Sequence, residues 1–260
     1  MSGRLVGKSA LITGGSRGIG KAVAVAFCRE GCSVFLIGRD EKRLKETADE
    51  ISNTEEVDVG WYVCDVTNPE AVRNMVEAAE CWKPIDILVN NAGIHKGASF
   101  LDYSVKDFRE VLETNVYGVF YVTQELLKRI VKQRPARVIN LASTAGKWGS
   151  RNQSAYNASK HAVVGLTRCL ALELAPHNIL VNAICPWVVD TDMATDFVET
   201  HAAALGKTKT ELKDQMNASV PLGRLIRVEE VAGLAVYLAS DEASYINGQS
   251  WTVDGGYTMV

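Results

Sequence analysis

A glycine-rich turn near the start of the chain, placed between a strand and a helix, constrains the fold most. The apolar run 8–13 predicts a buried strand, and a helical pattern follows over 18–30. Between them, Gly14, Gly18 and Gly20 give the spacing Gly-x-x-x-Gly-x-Gly. Such a turn lets backbone approach phosphate closely, and the free N–H groups of the helix start attract it. A glycine-rich loop alone could be only a turn, but this context favours a dinucleotide-binding βα unit.

Strand and helix patterns alternate along the rest of the chain. Strands are predicted near 8–13, 33–37, 58–64, 85–90, 136–142, 178–184 and 249–253. Helices are predicted near 18–30, 41–52, 69–80, 105–133, 154–176 and 228–240. Most of the strands are continuous apolar runs, as in a parallel sheet that is covered on both faces. The sequence therefore predicts an α/β fold: a single doubly wound Rossmann domain over 1–260, with about seven parallel strands and helices on both faces.

The segment 188–224 departs from this alternation, because its periodicity is weak. It follows the sixth strand and so begins at the edge of the sheet where ligands bind. We therefore expect it to form a substrate lid with one or two short helices.

Composition excludes several classes of protein. The 260 residues are 47% hydrophobic and carry a net charge of −3 without a basic run, which argues against a nucleic-acid partner. No apolar stretch approaches the roughly 18 residues of a membrane span, and no leader precedes the first strand, so a cytoplasmic protein is expected. None of the six cysteines forms Cys-x-x-Cys or lies near a histidine at zinc spacing, so we expect reduced thiols and no metal.

Tyr156 and Lys160 stand four residues apart in a predicted helix, so the phenol and the ammonium face the same space. A phenol has a reference pKa of about 10, and a nearby cation lowers it. Ser143 ends the fifth strand, at the edge where ligands bind. The pattern predicts proton exchange with an alcohol or carbonyl oxygen; the alternative is a half-buried tyrosine beside a solvated lysine.

The order and spacing of the motifs resemble the short-chain dehydrogenase/reductase family over essentially the whole chain. The matching segments are Thr13-Gly14-x-x-x-Gly18-Ile19-Gly20, Asp65, Asn90-Asn91-Ala92-Gly93, Asn115, Ser143, Tyr156-x-x-x-Lys160 and Pro186 to Thr191. Within the family the chain is most similar to the 3-oxoacyl-[acyl-carrier-protein] reductases and polyketide ketoreductases, on segments 113–120, 143–147, 238–245 and 255–260.

This resemblance implies a catalytic set of Asn115, Ser143, Tyr156 and Lys160. Tyr156 would transfer the proton, and Ser143 would hold the substrate oxygen. Lys160 would lower the pKa of Tyr156 and bind the nicotinamide ribose. Asn115 would hold a water that links Lys160 to solvent.

The resemblance also implies a cofactor-binding set: Gly14, Ser16, Arg17, Gly18, Ile19, Gly20, Arg39, Asp65, Val66, Asn91, Gly93, Tyr156, Lys160, Val189 and Thr191. Asp65 would accept from the adenine amino group, and the backbone at Asn91 and Gly93 would approach the adenosine ribose. Val189 would place backbone beside the nicotinamide ring, and Thr191 would contact its carboxamide.

Two arginines indicate which nicotinamide cofactor is used. Gly38 stands where relatives that use NAD carry an aspartate, Arg39 follows it, and Arg17 lies in the glycine turn. Guanidinium groups suit a 2′-phosphate through charge-assisted contacts, which favours NADP(H). The alternative is that Arg39 only pairs with Asp40, Glu41 or another surface acid.

The expected function is NADPH-dependent reduction of a ketone, on a 3-oxoacyl thioester or related β-keto substrate, free or carrier-bound. The alternatives are oxidation of a cyclic or small secondary alcohol, and a catalytically silent dinucleotide sensor. The family implies a homotetramer that packs helices 105–133 and 154–176 against a neighbour. Arg129 and Arg168 are candidates to meet an acidic carrier, while surface charge is their ordinary role.

Three further residues bear on the substrate pocket. Trp148 and Arg151, in the loop before Tyr156, are candidates for substrate contact. Trp187 replaces the family's usual glycine after Pro186, so we expect it to narrow the pocket; the competing interpretation is that it props the lid. The four histidines are scattered in sequence and are expected to have no catalytic role.

Overall fold

The computed structural model describes residues 3–259, so residues 1, 2 and 260 of the predicted domain lie outside it. The strands are β1 Ser9–Thr13, β2 Ser33–Gly38, β3 Val59–Val63, β4 Ile87–Asn90, β5 Ala136–Leu141, β6 Ile179–Pro186 and β7 Ser250–Val253. The helices are α1 Gly18–Arg29, α2 Glu41–Thr54, α3 Pro69–Trp82, α4 Val105–Leu112, α5 Gly118–Ile130, α6 Ser154–Leu174, α7 Asp192–Leu205, α8 Lys209–Ser219 and α9 Val228–Ala239.

The strands of the described chain form one sheet in the order β3-β2-β1-β4-β5-β6-β7, and each neighbouring pair is parallel. The order reverses between β1 and β4, so the loops that follow these two strands diverge. A crevice opens at that point on the carboxyl edge, where open α/β sheets bind their ligands. The predicted parallel α/β fold is confirmed.

Two apolar layers cover the sheet. Residues of α1, α2 and α9 pack on one face, and residues of α3, α5 and α6 pack on the other. On β1, Ala10 and Ile12 face the first layer, whereas Leu11 faces the second. Because both faces of this strand are buried, its sequence is a continuous apolar run rather than an alternating one.

The edge strand β3 and the long helix differ from the prediction. β3 is only half-buried, because no strand lies beyond it. The helix predicted over 105–133 is divided into α4 and α5 by a π-helical turn, Glu113–Tyr117, and α5 ends at Ile130. Such a turn accommodates one extra residue in a helix and is frequent at functional sites.

The segment 188–224 contains α7 and α8, as the one or two predicted helices require. α8 begins with a capping box, in which the side chains of Thr208 and Glu211 satisfy each other's backbone N–H groups. The two helices share a small apolar cluster of their own, which includes Val198 and Met216. Within the described part of the chain, no helix is long and apolar enough to cross a membrane.

Candidate active site

A cleft of about 1180 Å³ opens at the crevice between β1 and β4. It brings together most of the residues that the sequence predicts to bind a cofactor. Those that line it are Gly14, Ser16, Arg17, Gly18, Ile19, Arg39, Asp65, Val66, Asn91, Gly93, Tyr156, Lys160 and Thr191.

The glycine turn packs too tightly for side chains. Gly14 has a φ of +63°, and a Cβ on Gly20 would lie 2.2 Å from the carbonyl oxygen of Gly14. The side-chain amide of Asn91 donates to the carbonyls of Thr13 and Gly14, each at 3.0 Å. Asn91 therefore braces the turn with its side-chain NH2 group, and the predicted backbone contact with the ribose stays a prediction.

Exposed charges gather at one end of the cleft. Arg39 Nη1 lies 3.9 Å from Asp65 Oδ2, and Arg17 Nη1 lies 3.3 Å from Asp192 Oδ2. Asp40 is not the partner of Arg39, because it caps α2 and pairs with Arg43 at 3.3 Å. Exposed ion pairs of this kind are weak and readily exchanged for another anion.

Sequence reasoning missed Arg43 at this end of the cleft. It lines the cleft beside Arg39, from the first turn of α2. Its position four residues after Arg39, across a helix start, was the available signal. Arg17, Arg39 and Arg43 thus all line the cleft together with Gly38.

Buried polar groups gather at the other end, where β5 and α6 meet. Ser143 lies close enough to the hydroxyl of Tyr156 to affect its pKa. Ser143 Oγ also donates to the carbonyl of Pro186 at 3.3 Å and accepts from the N–H of Ala145 at 3.1 Å. Lys160 is buried and donates to the carbonyl of Leu141 at 2.8 Å. The structure thus brings these three predicted side chains together.

The pKa of Tyr156 differs from the prediction in direction. Burial raises it to about 12, and the neighbouring Ser143 hydroxyl only partly opposes this. Burial also lowers the pKa of Lys160 to about 8. Lys160 Nζ points to Leu141 and lies 5.6 Å from the centre of the Tyr156 ring, so the expected lowering by the ammonium does not dominate.

Asn115 lies in the π-helical turn and is fully buried. Its Oδ1 accepts from the N–H of Ile94 at 2.8 Å, and its Nδ2 donates to the carbonyl of Ile94 at 2.9 Å and to Ser159 Oγ at 3.1 Å. The side chain therefore fastens the loop after β4 to α6. The predicted water-holding role of Asn115 stays a prediction.

Two predicted cofactor residues do not line the cleft: Gly20, which packs against Gly14 within the glycine turn, and Val189. The side chain of Val189 is buried in the core layer that contains α1 and α9, and its carbonyl accepts from Thr191 Oγ1 at 3.2 Å. Thr191 does border the cleft and would lie 3.4 Å from a Cβ on Gly18. The backbone role of Val189 remains a prediction.

Trp187 does not narrow the cleft, contrary to our expectation. Its ring packs on Tyr257, with centroids 4.7 Å apart, and against the apolar clusters of the core and of α7 and α8. Trp148 meets Tyr257 edge-on at 5.3 Å from the opposite side. Trp187 thus joins the C-terminal segment to the 188–224 segment, as the competing interpretation required. Arg151, the other candidate for substrate contact, is exposed.

The contacts of Arg129 give little support to the prediction that it meets an acidic carrier. Its guanidinium lies 3.6 Å from Glu77 and 3.4 Å from Glu125, so its charge is already balanced within the chain. Arg168 is exposed on α6.

Sequence reasoning also missed two histidines beside Tyr156. The ring of His95 lies edge-on to that of Tyr156, with centroids 5.0 Å apart, and 5.8 Å from the ring of His201 on α7. The two histidines are far apart in sequence, so no local spacing signals the pair.

The residues present fit a nicotinamide dinucleotide. The cleft has a glycine turn at a helix start for the pyrophosphate, cations at one end, and Tyr156 and Lys160 at the other, with Ser143 beside Tyr156. Among residues 3–259, no three histidine, cysteine or acidic side chains stand close enough to hold a metal ion.

Comparison with known proteins agrees with this geometry. A family model described as enoyl-(acyl carrier protein) reductase matches residues 14–258. The chain is 38% identical to the 3-oxoacyl-[acyl-carrier-protein] reductase of Aquifex aeolicus, over 97% of this chain and 98% of that protein. It is 37% identical to a sorbitol dehydrogenase of Cereibacter sphaeroides, over 98% and 99%.

A solved structure extends the likeness to three dimensions. A variant of the actinorhodin polyketide ketoreductase, crystallised with NADPH, superimposes with a TM-score of 0.93 at 36% identity, over 99% of both chains. The chain therefore belongs to the short-chain dehydrogenase/reductase family of oxidoreductases.

Proposed function

We propose that this protein uses NADPH to reduce a ketone to a secondary alcohol, on a 3-oxoacyl thioester or a related β-keto substrate. The observation that carries the proposal is one cleft with two different ends. Half-buried Tyr156 and buried Lys160 line one end, with buried Ser143 next to Tyr156, and Arg17 and Arg39 line the other. The relatives named as 3-oxoacyl and polyketide ketoreductases support the substrate class.

The proposed roles of the individual residues follow from their contacts. NADPH, when bound, supplies a hydride to the carbonyl carbon. Tyr156 donates the proton to the carbonyl oxygen, and Ser143 donates a hydrogen bond that holds this oxygen in place. Ser143 lies next to Tyr156, so one substrate oxygen can contact both hydroxyls.

Lys160 and the arginines bind the cofactor in this proposal. An ammonium has three N–H donors, and Lys160 gives one to Leu141, which leaves two for the ribose hydroxyls. A bound ribose also places polar groups against the buried ammonium, which favours its charged form and so helps to lower the pKa of Tyr156. Arg17 and Arg39 exchange weak pairings with Asp192 and Asp65 for the 2′-phosphate.

Oxidation of a cyclic or small secondary alcohol is the second candidate. The same Tyr156 would then receive the proton, and the likeness to a sorbitol dehydrogenase favours this reading. A catalytically silent dinucleotide sensor is disfavoured, because such a protein has no need of Asn115, Ser143, Tyr156 and Lys160 together.

We further propose a cytoplasmic homotetramer. Tyr117, Phe120 and Leu172 leave large apolar surfaces exposed on or beside α5 and α6, which a neighbouring copy would cover. All six cysteines are free thiols, which suits a reducing compartment. Arg168 is the better candidate to meet an acidic carrier, since Arg129 is already paired.

The test is a spectrophotometric screen of NADPH consumption against β-keto thioesters, cyclic ketones and keto sugars, with the reverse reaction on the matching alcohols. Preference for β-keto thioesters with NADPH is expected. Reaction only with polyols and NAD would replace the proposal by the second candidate, and no reaction with any of them would favour the sensor. Tyr156→Phe is the control that separates this activity from a contaminant.

A further inference from the structure

Ser159 places a fully buried hydroxyl in the second turn of α6, three residues after Tyr156 and directly before Lys160. Serine is a weaker helix former than alanine, because its hydroxyl competes for backbone hydrogen bonds. A buried hydroxyl is also cut off from water, so it needs partners inside the protein. The partners of this hydroxyl therefore indicate what the residue does.

The hydroxyl of Ser159 forms hydrogen bonds in two directions. Its Oγ donates to the carbonyl of Tyr156 at 2.7 Å and accepts from Asn115 Nδ2 at 3.1 Å. Asn115 lies in the π-helical turn between α4 and α5. Ser159 thus joins that turn to the backbone of the proposed proton donor.

The hydrogen bonds continue from Asn115 to the loop after β4. Asn115 Oδ1 accepts from the N–H of Ile94 at 2.8 Å, and its Nδ2 donates to the carbonyl of the same residue at 2.9 Å. Ile94 and the preceding Gly93 line the cofactor cleft. One continuous set of hydrogen bonds, the Ile94–Tyr156 connection, therefore runs from a loop of the cleft through Asn115 and Ser159 to Tyr156.

The direction of each bond in this connection is fixed. Because Asn115 Oδ1 faces the N–H of Ile94, the two Nδ2 hydrogens face the Ile94 carbonyl and Ser159. Ser159 accepts one of them, so its own hydrogen points to the carbonyl of Tyr156. Without the hydroxyl, one buried N–H of Asn115 would lose its acceptor, which costs the desolvation penalty of that group.

Close packing beside Ser159 leaves little space to absorb a displacement. A Cβ on Gly93 would lie 3.2 Å from Asn115 Oδ1 and 3.8 Å from Lys160 Nζ. A Cβ on Gly146 would lie only 2.6 Å from the carbonyl oxygen of Lys160. This turn of α6 is therefore packed closely against two loops, and a shift of one is transmitted to the other.

We infer that Ser159 is a positioning residue, which sets Tyr156 relative to the cofactor bound against the loop at Gly93 and Ile94. The inference rests on the proposed function and deepens it, because hydride and proton must reach the two atoms of one carbonyl. A misplacement of about 1 Å can cost about 10²-fold in rate. The Ile94–Tyr156 connection keeps the two donors in register without touching the reacting atoms.

The experiment measures single turnovers of the NADPH-loaded protein with an acetoacetyl thioester by stopped flow. The amplitude counts folded, loaded protein, and the rate constant reports the reacting geometry. Ser159→Ala should lower the rate constant by about tenfold, while the amplitude and the affinity for NADPH change little. Ser159→Cys keeps a weak donor and acceptor at the same place, so its rate constant should lie between those of Ser159→Ala and the wild type.

Ser240 provides the matched control. It is also buried, follows α9 directly, and donates to the carbonyl of Tyr237, three residues earlier, at 2.8 Å. Ser240→Ala removes the same kind of local bond, so it should lower the thermal midpoint but leave the rate constant unchanged. An unchanged rate constant in Ser159→Ala, an equal loss in both variants, or a loss confined to the amplitude would show a merely structural role and overturn the inference.

Amide hydrogen exchange gives a readout that needs no turnover. Exchange at Ile94 should be faster in Ser159→Ala and unchanged in Ser240→Ala, because the N–H of Ile94 depends on Asn115 Oδ1. Unchanged exchange at Ile94 would overturn the inference, and Ser159→Cys decides by the same criteria if Ser159→Ala fails to fold. A wild type that reduces no β-keto thioester would remove the proposed function, and the exchange data would then decide alone whether Ser159 holds the loop to α6.

Discussion

The two ends of the cleft differ in how deeply their polar side chains are buried. At the nucleotide end, the side chain of Arg39 is 70% exposed and its nearest acid, Asp65, is 3.9 Å away. At the reacting end, Asn115 and Lys160 are only 1% and 6% exposed and are hydrogen-bonded to backbone. Interactions between exposed charges are screened, so a pairing can be exchanged at little cost in free energy. A buried polar group that loses its hydrogen-bond partner instead costs the full desolvation penalty of that group. Cofactor choice is thus open to change in this fold, and the proton-transfer geometry is not.

A buried polar network joins the sheet to the two helices beside the reacting end. Asn90 on β4 donates to Thr123 of α5 at 2.8 Å and to Asn140 of β5 at 2.9 Å. Asn140 in turn donates to Thr167 of α6 at 2.9 Å. These bonds fix α5, which follows Asn115, and α6, which carries Tyr156, relative to the sheet. Among residues 3–259, no comparable network holds Arg17 or Arg39.

The largest expected effect is at the reacting end. Tyr156→Phe keeps the ring against His95 and removes the proton donor, so turnover should fall by about 10²–10⁴. NADPH affinity, measured by fluorescence titration, should change little. Turnover within a few-fold of wild type would exclude Tyr156 from proton transfer and remove the contrast between the two ends.

Replacement of Trp187 tests whether the reacting end is held by packing. Trp187→Ala removes an indole that packs on Tyr257 and two apolar clusters, and should lower the free energy of unfolding by about 2–4 kcal/mol. The ranking of ketones by kcat/KM should persist. Trp148→Ala, which affects the other face of Tyr257, should cost less because Trp148 is more exposed. A changed ranking without a loss of stability would return Trp187 to the substrate pocket.

The nucleotide end is tested by Arg39→Ala. We expect NADPH binding to weaken by about 1.5–3 kcal/mol, since a charge-assisted contact is lost, and NADH binding to change much less. Lys42→Ala, an exposed change on neighbouring α2 outside the cleft, is the control. If both cofactors lose the same affinity, Arg39 has a structural role and the exposed end does not select the cofactor.

We expect buried Lys160 to lower the stability of the protein when no cofactor is bound. Its pKa falls from 10.5 to about 8 on burial, so Lys160→Met should raise the free energy of unfolding at about pH 7 by about 1–3 kcal/mol while activity is lost. Between these two pKa values the unfolded chain holds a proton that the folded chain has released, so this group makes wild-type stability rise with pH. The variant should lack that rise, in urea unfolding at several pH values, and exposed Lys128→Met should keep it. A less stable Lys160→Met protein would contradict the burial argument.

The sequence predicted what depends on local pattern. The glycine turn and the Tyr156–Lys160 spacing each lie within one element or loop, and the parallel sheet follows from strands buried on both faces. The pKa of Tyr156 could not be predicted, because it depends on burial by several elements and on where Lys160 Nζ points. The same limit hid the His95–His201 pair, which only the packing of α7 brings together.

The π-helical turn makes the chain more sensitive to a change in length than to a change in side chain. Its extra residue is accommodated between α4 and α5, so deletion of one residue there would restore a regular helix. The flanking helices would keep their faces, but the turn that presents Asn115 would narrow from i→i+5 to i→i+4 hydrogen bonds. Asn115 would then leave Ile94 and Ser159, although no side chain of the cleft had been replaced. Single-codon losses between 113 and 117 are therefore expected to be rare among functional descendants of this chain.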